Sequence, residues 1–471
     1  MTLDTISPLD ELPLPQSGEK QNWTNLYGAA RWMAVTKAVT QSLRPFVVFT
    51  SDIASASKIE QELKFFDPSI VIHHFPDWET LPYDRFSPYQ DIISERLTTL
   101  SLIPEFQKEV LIVSVQTAMH RVVPSEWVAS HSFSLVKGEV LDRDKFRKKL
   151  IDNGYRPSSQ VSESGEYAIR GSLIDVFPVG SHNPVRIDFF DNEIETLRLF
   201  DVETQRSTEE VQEIRVLPGK EFLLDQSGIS RFRRQWRTEF GQFHDIDLYR
   251  DVSEGLPPPG VEYYLPLFHE NMELLVDYFS ESTICVFDEK IEKMANRFWV
   301  SVESRHEAVK DDIARPVLEP SHIFCDFKEL LASTKKFGRI FLTGLSTSSE
   351  KANVFATSSP LSHPIDARAK DPFSLIRSHV DRTDGRILFL AESLGRREAI
   401  LDLLRGQKLT LKIFDTWAQF VGSSDALGIA VAAVEDGAEI EHPRISLVTE
   451  FQLFGKRLEK RERRKKRNSY E

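Results

Sequence analysis

The stretch ESGEYAIRGSLIDVFPVGSHNPVRIDFFDNEIETLRLFD, residues 163–201, decides the fold of the region around it. From Val185 to Phe190 apolar and polar residues alternate at period two, the period at which strand side chains point to opposite faces. Val185, Ile187 and Phe189 turn one way and read as core. Arg186, Asp188 and Phe190 turn the other way, so a large aromatic shares a polar face with a guanidinium and a carboxylate. Asp191 and Asn192 tolerate positive φ and supply a tight hairpin turn. On the return, a two-residue hairpin places Leu197 on the face of Arg186. The pattern therefore needs either a bulge or a partly apolar outer face. Residues 168–176 read as a further strand, with Arg170 on the face opposite Ile169 and Leu173. Two arginines and a phenylalanine on adjoining strands have the composition of an interface hot spot. The same pattern also fits a solvated sheet face that carries one aromatic.

The chain has 471 residues, too many for one core and enough for three or four domains. Its 41% hydrophobic and 28% charged content is that of an ordinary globular protein. No apolar run approaches the roughly 20 residues that cross a bilayer, and the N-terminus lacks a signal-peptide pattern. Cys285 and Cys325 are too few for a disulfide framework or a metal knuckle and read as buried thiols in a reducing cytoplasm. A net charge of −13 argues against a protein wrapped in nucleic acid along its length. Residues 456–467 hold nine basic and two acidic residues, a local +7 that leaves −20 on the rest of the chain. HExxH, GxSxG, paired CxxC and EF-hand patterns are missing from the sequence. His73 and His74 face opposite ways on a strand and cannot chelate together, and Glu209 and Glu210 read as solvation.

Strands at residues 45–50, 70–72, 110–113 and 283–287 alternate with helices at 25–43 and 55–66 and one opening near Ser114. That order argues for a parallel sheet covered by helices. No GxxxxGK[ST] phosphate loop occurs in the sequence. Residues 283–289, TICVFDE, deliver Asp288 and Glu289 to a strand end, as a Mg²⁺-binding strand would; without a phosphate loop they read as a charged turn. Residues 75–96 interleave Trp78, Tyr83, Phe86 and Tyr89 with Arg85, a composition that stacks on bases or packs a loop; packing is the preferred reading. Asp142 caps a helix ending at Asn153, with Gly154 as its left-handed stop. Residues 231–240 read as an amphipathic helix. Residues 346–371 lose periodicity and read as a linker before a small three-layer α/β unit with strands at 386–391, 411–414 and 429–432 and a helix at 394–404.

Three segments carry a family resemblance: DWETLPYDRFSPYQDIISERL (77–97), GEYAIRGSLIDVFP (165–178) and PVRIDFFDNEIETLRLFD (184–201). They resemble the bacterial transcription-repair coupling factor (Mfd) family in its UvrB-homology portion, and more distantly the excision-repair subunit UvrB. The likeness continues more loosely over nearly the whole chain. It implies an α/β architecture: a degenerate P-loop NTPase-like (UvrB-like) parallel-sheet domain with an inserted α+β domain, followed by a smaller three-layer α/β domain. The expected boundaries are a flexible N-terminus (1–20), the UvrB-like domain in two segments (21–135 and 219–345) and the inserted UvrA-binding domain (136–218). A linker (346–371), the small domain (372–453) and a basic, truncated connecting helix (454–471) complete the chain. The degenerate phosphate loop falls at residues 26–31, where Gly28 remains and lysine and hydroxyl residues do not follow. Residues 395–398 fall where helicase-like domains place a functional arginine; a solvated helix start is the preferred reading.

In that family the inserted domain binds UvrA, and the contact positions fall on Arg170, Arg186 and Phe190. The resemblance thus implies a cytoplasmic, monomeric, non-catalytic recruitment module with no cofactor, linking a stalled-transcription site to excision repair. Arg186→Ala and Phe190→Ala are expected to weaken UvrA binding with folding intact. RNA polymerase and double-stranded DNA are implied as partners only through further domains, as is ATP through a translocase motor. Because a C-terminal domain masks the UvrA face in full-length family members, this shorter chain is expected to bind constitutively. Two rivals remain: a UvrB-like ATP-dependent damaged-DNA-binding protein, and a DNA-binding fragment acting through its basic tail.

Overall fold

The computed structural model describes residues 5–241, 246–344, 352–362, 364–365 and 370–455. Its first sheet has seven strands in the order Ala352–Val354, Lys20–Thr24, Gly338–Leu342, Ile284–Phe287, Phe46–Thr50, Val110–Ser114 and Ile72–His74. Every pairing in it is parallel. Phe46–Thr50 and Val110–Ser114 are buried at every residue, as central strands covered on both faces must be. The helices Ala29–Gln41 and Ile53–Phe66 cover one face. The second starts at Asp52, whose carboxylate accepts from the Ser55 amide, a side-chain cap on an otherwise unpaired donor.

Two segments differ from the sequence expectation. Residues 5–19, read within a flexible start, lie against the body. Leu12 is 4% exposed, and its amide and carbonyl both bond to the Gln41 side-chain amide. The segment read as a linker supplies, within its described part, an edge strand to two sheets. Ala352–Val354 joins the parallel sheet, and Thr357–Ser358 joins the sheet of the C-terminal unit. Short edge strands of low apolar content carry little periodicity, which is why the pattern missed them.

The inserted unit is a six-stranded sheet in the order Ser207–Val211, Glu193–Phe200, Val185–Phe190, Leu173–Val176, Glu166–Arg170 and Arg156–Pro157. All its pairings are antiparallel except the last, which is parallel. The helix Arg143–Asp152, capped by Asp142, lays Phe146 and Leu150 on the inner face beside Phe189. Val185, Ile187, Phe189, Ile194 and Leu197 are all buried there. The bulge allowed by the sequence pattern exists: Asp188 pairs with Thr196 but Phe189 with Ile194, so Glu195 is the extra residue and Leu197 turns inward. The third sheet, in the order Thr357–Ser358, Ala438–Ile440, Ile445–Thr449, Arg386–Ala391, Leu427–Val431 and Lys412–Ile413, is mixed, parallel at its centre and antiparallel toward one edge.

One apolar core joins the first sheet to the inner face of the inserted sheet, and another joins it to the third unit. At the first junction lies a fully buried ion pair. Arg96 Nε, on the helix Gln90–Leu102, is 3.0 Å from Glu221 Oε1, and neither side chain is exposed at all. Trp78 Nε1 donates to the other carboxylate oxygen at 3.0 Å, and Arg96 Nη1 donates to the Pro76 carbonyl at 2.9 Å. The guanidinium lies over the rings of Phe75, at 4.4 Å, and Trp78, at 5.3 Å. Removing one member of such a pair strands the other charge without water. Arg96→Leu is therefore expected to destabilise the chain by ~3–5 kcal/mol. Adding Glu221→Gln should recover part of that loss; a urea midpoint for Arg96→Leu equal to wild type would contradict this account.

Candidate partner-binding face

The outer face of the inserted sheet carries all three residues singled out from the sequence. Arg186 and Phe190 alternate with buried neighbours on one strand. Cross-strand pairing places Arg186 opposite Asp175 and Arg198, and Asp188 opposite Leu173, which pairs in turn with Arg170. Arg170, Arg186 and Phe190 thus share one face. Residues 168–176, however, are not one strand. They turn at Gly171, at φ 64°, and return, so Leu173 lies on the face of Arg170 and not opposite it.

The three side chains have different surroundings. Phe190 is 70% exposed at the hairpin tip, before Asp191 at φ 54°. Arg170 is exposed, and its Nη2 donates to the Ser159 carbonyl at 3.0 Å. Arg186 is half-buried. Its Nε and Nη2 each sit 2.8 Å from an Asp175 oxygen, a two-bond fork that raises the arginine pKa further. Its guanidinium also lies 4.8 Å from the Phe200 ring centre, and Nη1 reaches the Gln205 carbonyl at 3.3 Å. Below it Val161, Ala168 and Phe200 form a small apolar cluster. The bidentate edge of Arg186 is therefore used inside the molecule. Its substitution is expected to cost stability, because Asp175, 1% exposed, would lose its counter-charge. No periodicity could reveal this, since Asp175 is assigned to Arg186 only by strand register.

Residues 26–31, where the resemblance places a degenerate phosphate loop, are closed by the C-terminal unit. Gly28, at φ 49°, precedes the helix Ala29–Gln41. A Cβ there would lie 1.9 Å from the Gly437 carbonyl oxygen of the C-terminal unit. The Ala29 amide donates to the carbonyls of Asp436 and Gly437, both at 3.2 Å, and the next two amides bond to Tyr27 and Gly28. A helix N-terminus binds phosphate through free amides, and here those donors are taken. Arg31 pairs with Asp288 at 2.5 Å and Glu289 at 3.3 Å, so the carboxylates at the strand end face a protein cation.

Beside this plug Glu62 is buried. Desolvation, with Asp436 next in weight, pushes its pKa up to about 8, and Lys58 pairs with Glu435 at 2.7 Å. Of the aromatic segment, Trp78 and Tyr83 are buried, whereas Phe86 and Tyr89 stand 72% and 78% exposed. Arg85 pairs with Asp312 at 3.0 Å. In the C-terminal unit Arg396 pairs with Glu450. His74 bonds Glu60 at 2.8 Å while His73 stacks on Phe106. The basic segment 456–467 lies outside the described residues. Among the described residues no helix is long and apolar enough to cross a membrane.

Comparison with known proteins gives two family matches: residues 133–222 match the UvrB interaction domain, and residues 379–453 match the Mfd D3 domain. The transcription-repair-coupling factor of Escherichia coli K12 is 38% identical over 450 residues, covering 95% of this chain and 39% of that protein. That of Haemophilus influenzae is 36% identical over 448 residues, covering 94% and 39%. That of Staphylococcus aureus USA300 is 27% identical over 280 residues. The chain spans about two-fifths of the length of the first two relatives.

Two expectations follow from this geometry. Arg186→Ala should lower stability by about 3 kcal/mol, because a buried carboxylate is left alone. Phe190→Ala should leave it within ~0.5 kcal/mol of wild type; equal unfolding midpoints for the two variants would refute the assignment. The second concerns pH. Glu62 holds its proton more tightly folded than unfolded, so its contribution to stability is fully present below its ordinary value of 4.5 and is lost as pH rises toward about 8. Glu62→Gln should flatten the fall in melting temperature between pH 5 and pH 8, and an unchanged slope would remove Glu62 as its source.

Proposed function

This chain corresponds to the N-terminal region of a transcription-repair-coupling factor, with its UvrB interaction domain and D3 domain, and on that premise we propose that it recruits the excision-repair protein UvrA. The inserted unit, taken as residues 136–218, is the recruiting domain, and its outer sheet face is the docking patch. Phe190 is the observation that carries this reading. A phenylalanine 70% exposed at the tip of a hairpin, on a face with Arg170 and Arg186, has the composition of an interface hot spot. Arg170 supplies an exposed guanidinium that, beyond its bond to the Ser159 carbonyl, has donors left to meet a carboxylate of the partner. Arg186 acts chiefly as a positioning residue, because its fork holds Asp175 and fixes the strand that presents Phe190.

The rest of the chain is a non-catalytic scaffold in this reading. The occupied helix terminus at Ala29 and the Arg31–Asp288 pair favour it over a UvrB-like ATPase. In the cell such a module hands a stalled RNA polymerase site to excision repair, with polymerase and DNA engaged by other parts of the protein. Calorimetry of the whole chain with purified UvrA tests it. Phe190→Ala is expected to cost ~2 kcal/mol or more of binding, and Arg170→Ala ~1 kcal/mol or more, each with an unchanged melting temperature. Undiminished affinity in Phe190→Ala would sink the patch.

A further inference from the structure

Next to Phe190 the inserted unit holds a cavity of about 450 Å³, lined by Phe190, Glu193, Ile194, Glu195 and, across from them, Lys137 and Gly138. Ile194, whose side chain is buried on the inner face, borders it. Its frame is fixed by backbone: Gly138 N donates to the Ile194 carbonyl at 2.8 Å, Ile194 N to the Glu139 carbonyl at 2.9 Å, and Lys137 N to the Gln212 carbonyl at 2.9 Å. Gly138, at φ 85°, has open space where a Cβ would stand, which keeps that wall low.

The lining carries one cation and two carboxylates. Lys137 is committed to Glu210, at 2.7 Å. Glu193 and Glu195 are exposed, and neither has an ion-pair partner among the described residues. The bulge creates this arrangement. The extra residue, Glu195, breaks the register that would otherwise continue, and it lines the same cavity as Glu193. A rigid hollow with an aromatic wall and two unpaired carboxylates is complementary to one kind of group, a long basic side chain. Its methylenes can lie along Phe190 while its cation meets the carboxylates.

We propose that this cavity is a second contact of the docking patch, seating a lysine or arginine of the partner between Glu193 and Glu195 against the Phe190 ring. The inference rests on the reading of Phe190 as a UvrA contact. It adds the chemistry required of the partner, a cation beside whatever apolar pocket receives the ring.

The test is calorimetry of the whole chain against UvrA with three variants: Phe190→Ala, the pair Glu193→Lys with Glu195→Lys, and the pair Glu193→Gln with Glu195→Gln. All substituted side chains are exposed, so melting temperatures should match wild type. The lysine pair should weaken binding about tenfold or more through like-charge contact, and the glutamine pair should weaken it less and flatten its salt dependence. Loss in Phe190→Ala together with these two results supports the cavity contact. Loss in Phe190→Ala with both glutamate pairs binding as wild type overturns the cavity contact and leaves the patch standing. No loss in Phe190→Ala overturns the patch and the cavity contact with it.

Discussion

Two opposite charges with no exposure to water hold the inserted unit in place. Arg96 belongs to a helix of the parallel-sheet unit, and Glu221 lies where the chain comes back from the insertion. Burying both ions is expensive unless their remaining donors and acceptors are satisfied. Trp78 and the Pro76 carbonyl do most of that, and the rings of Phe75 and Trp78 face the guanidinium. The backbone carbonyl of Glu221 also accepts from His269, whose pKa burial lowers to about 4, so that ring stays neutral and adds no competing charge. An apolar pair of similar volume could supply as much stability.

The same economy governs the other end of the first sheet. The N-terminal edge of a helix after a parallel strand is a natural anion cradle, yet here it receives carbonyl oxygens from residues 436 and 437. Gly28 permits the approach because a side chain there would collide with that backbone. Arg31 turns toward Asp288 and Glu289 and neutralises carboxylates that would otherwise repel one another. A glycine retained without its lysine can therefore be kept for packing, where the same glycine in a phosphate loop would be kept for a ligand. Docking of the third unit, Phe66 against Trp417 included, makes this end of the sheet a structural joint.

Much of this was legible beforehand, for reasons that differ by element. Fully apolar runs such as Phe46–Thr50 and Val110–Ser114 announce central strands, and strict alternation from Val185 to Phe190 announces a two-faced strand. Charge and ring exposure followed from that alternation, so the shared face of Arg170, Arg186 and Phe190 could be anticipated. What could not be anticipated depends on partners distant in sequence. The turn at Gly171 resets the parity that had placed Leu173 on the wrong face. Strand register alone assigns Asp175 to Arg186. The edge strands Ala352–Val354 and Thr357–Ser358 are recruited by neighbours, with little in their own pattern to mark them.

The outer face is consequently divided along its length, and the division bears on how it can bind. At one end Arg186 covers Phe200, and the apolar cluster around Val161 and Ala168 is closed by the molecule's own residues. At the other end Phe190 has no such cover. The open end is nonetheless held, for Leu141 N reaches the Asn192 carbonyl at 2.6 Å, and Gly138 and Ile194 bond across the adjacent turn. A side chain offered from a fixed hairpin loses little backbone freedom on association, and that loss is one of the main costs a partner contact must overcome. For the proposed docking, closure at one end and rigidity at the other have a single consequence: its free energy is concentrated at the hairpin tip, at one aromatic ring and its immediate neighbours.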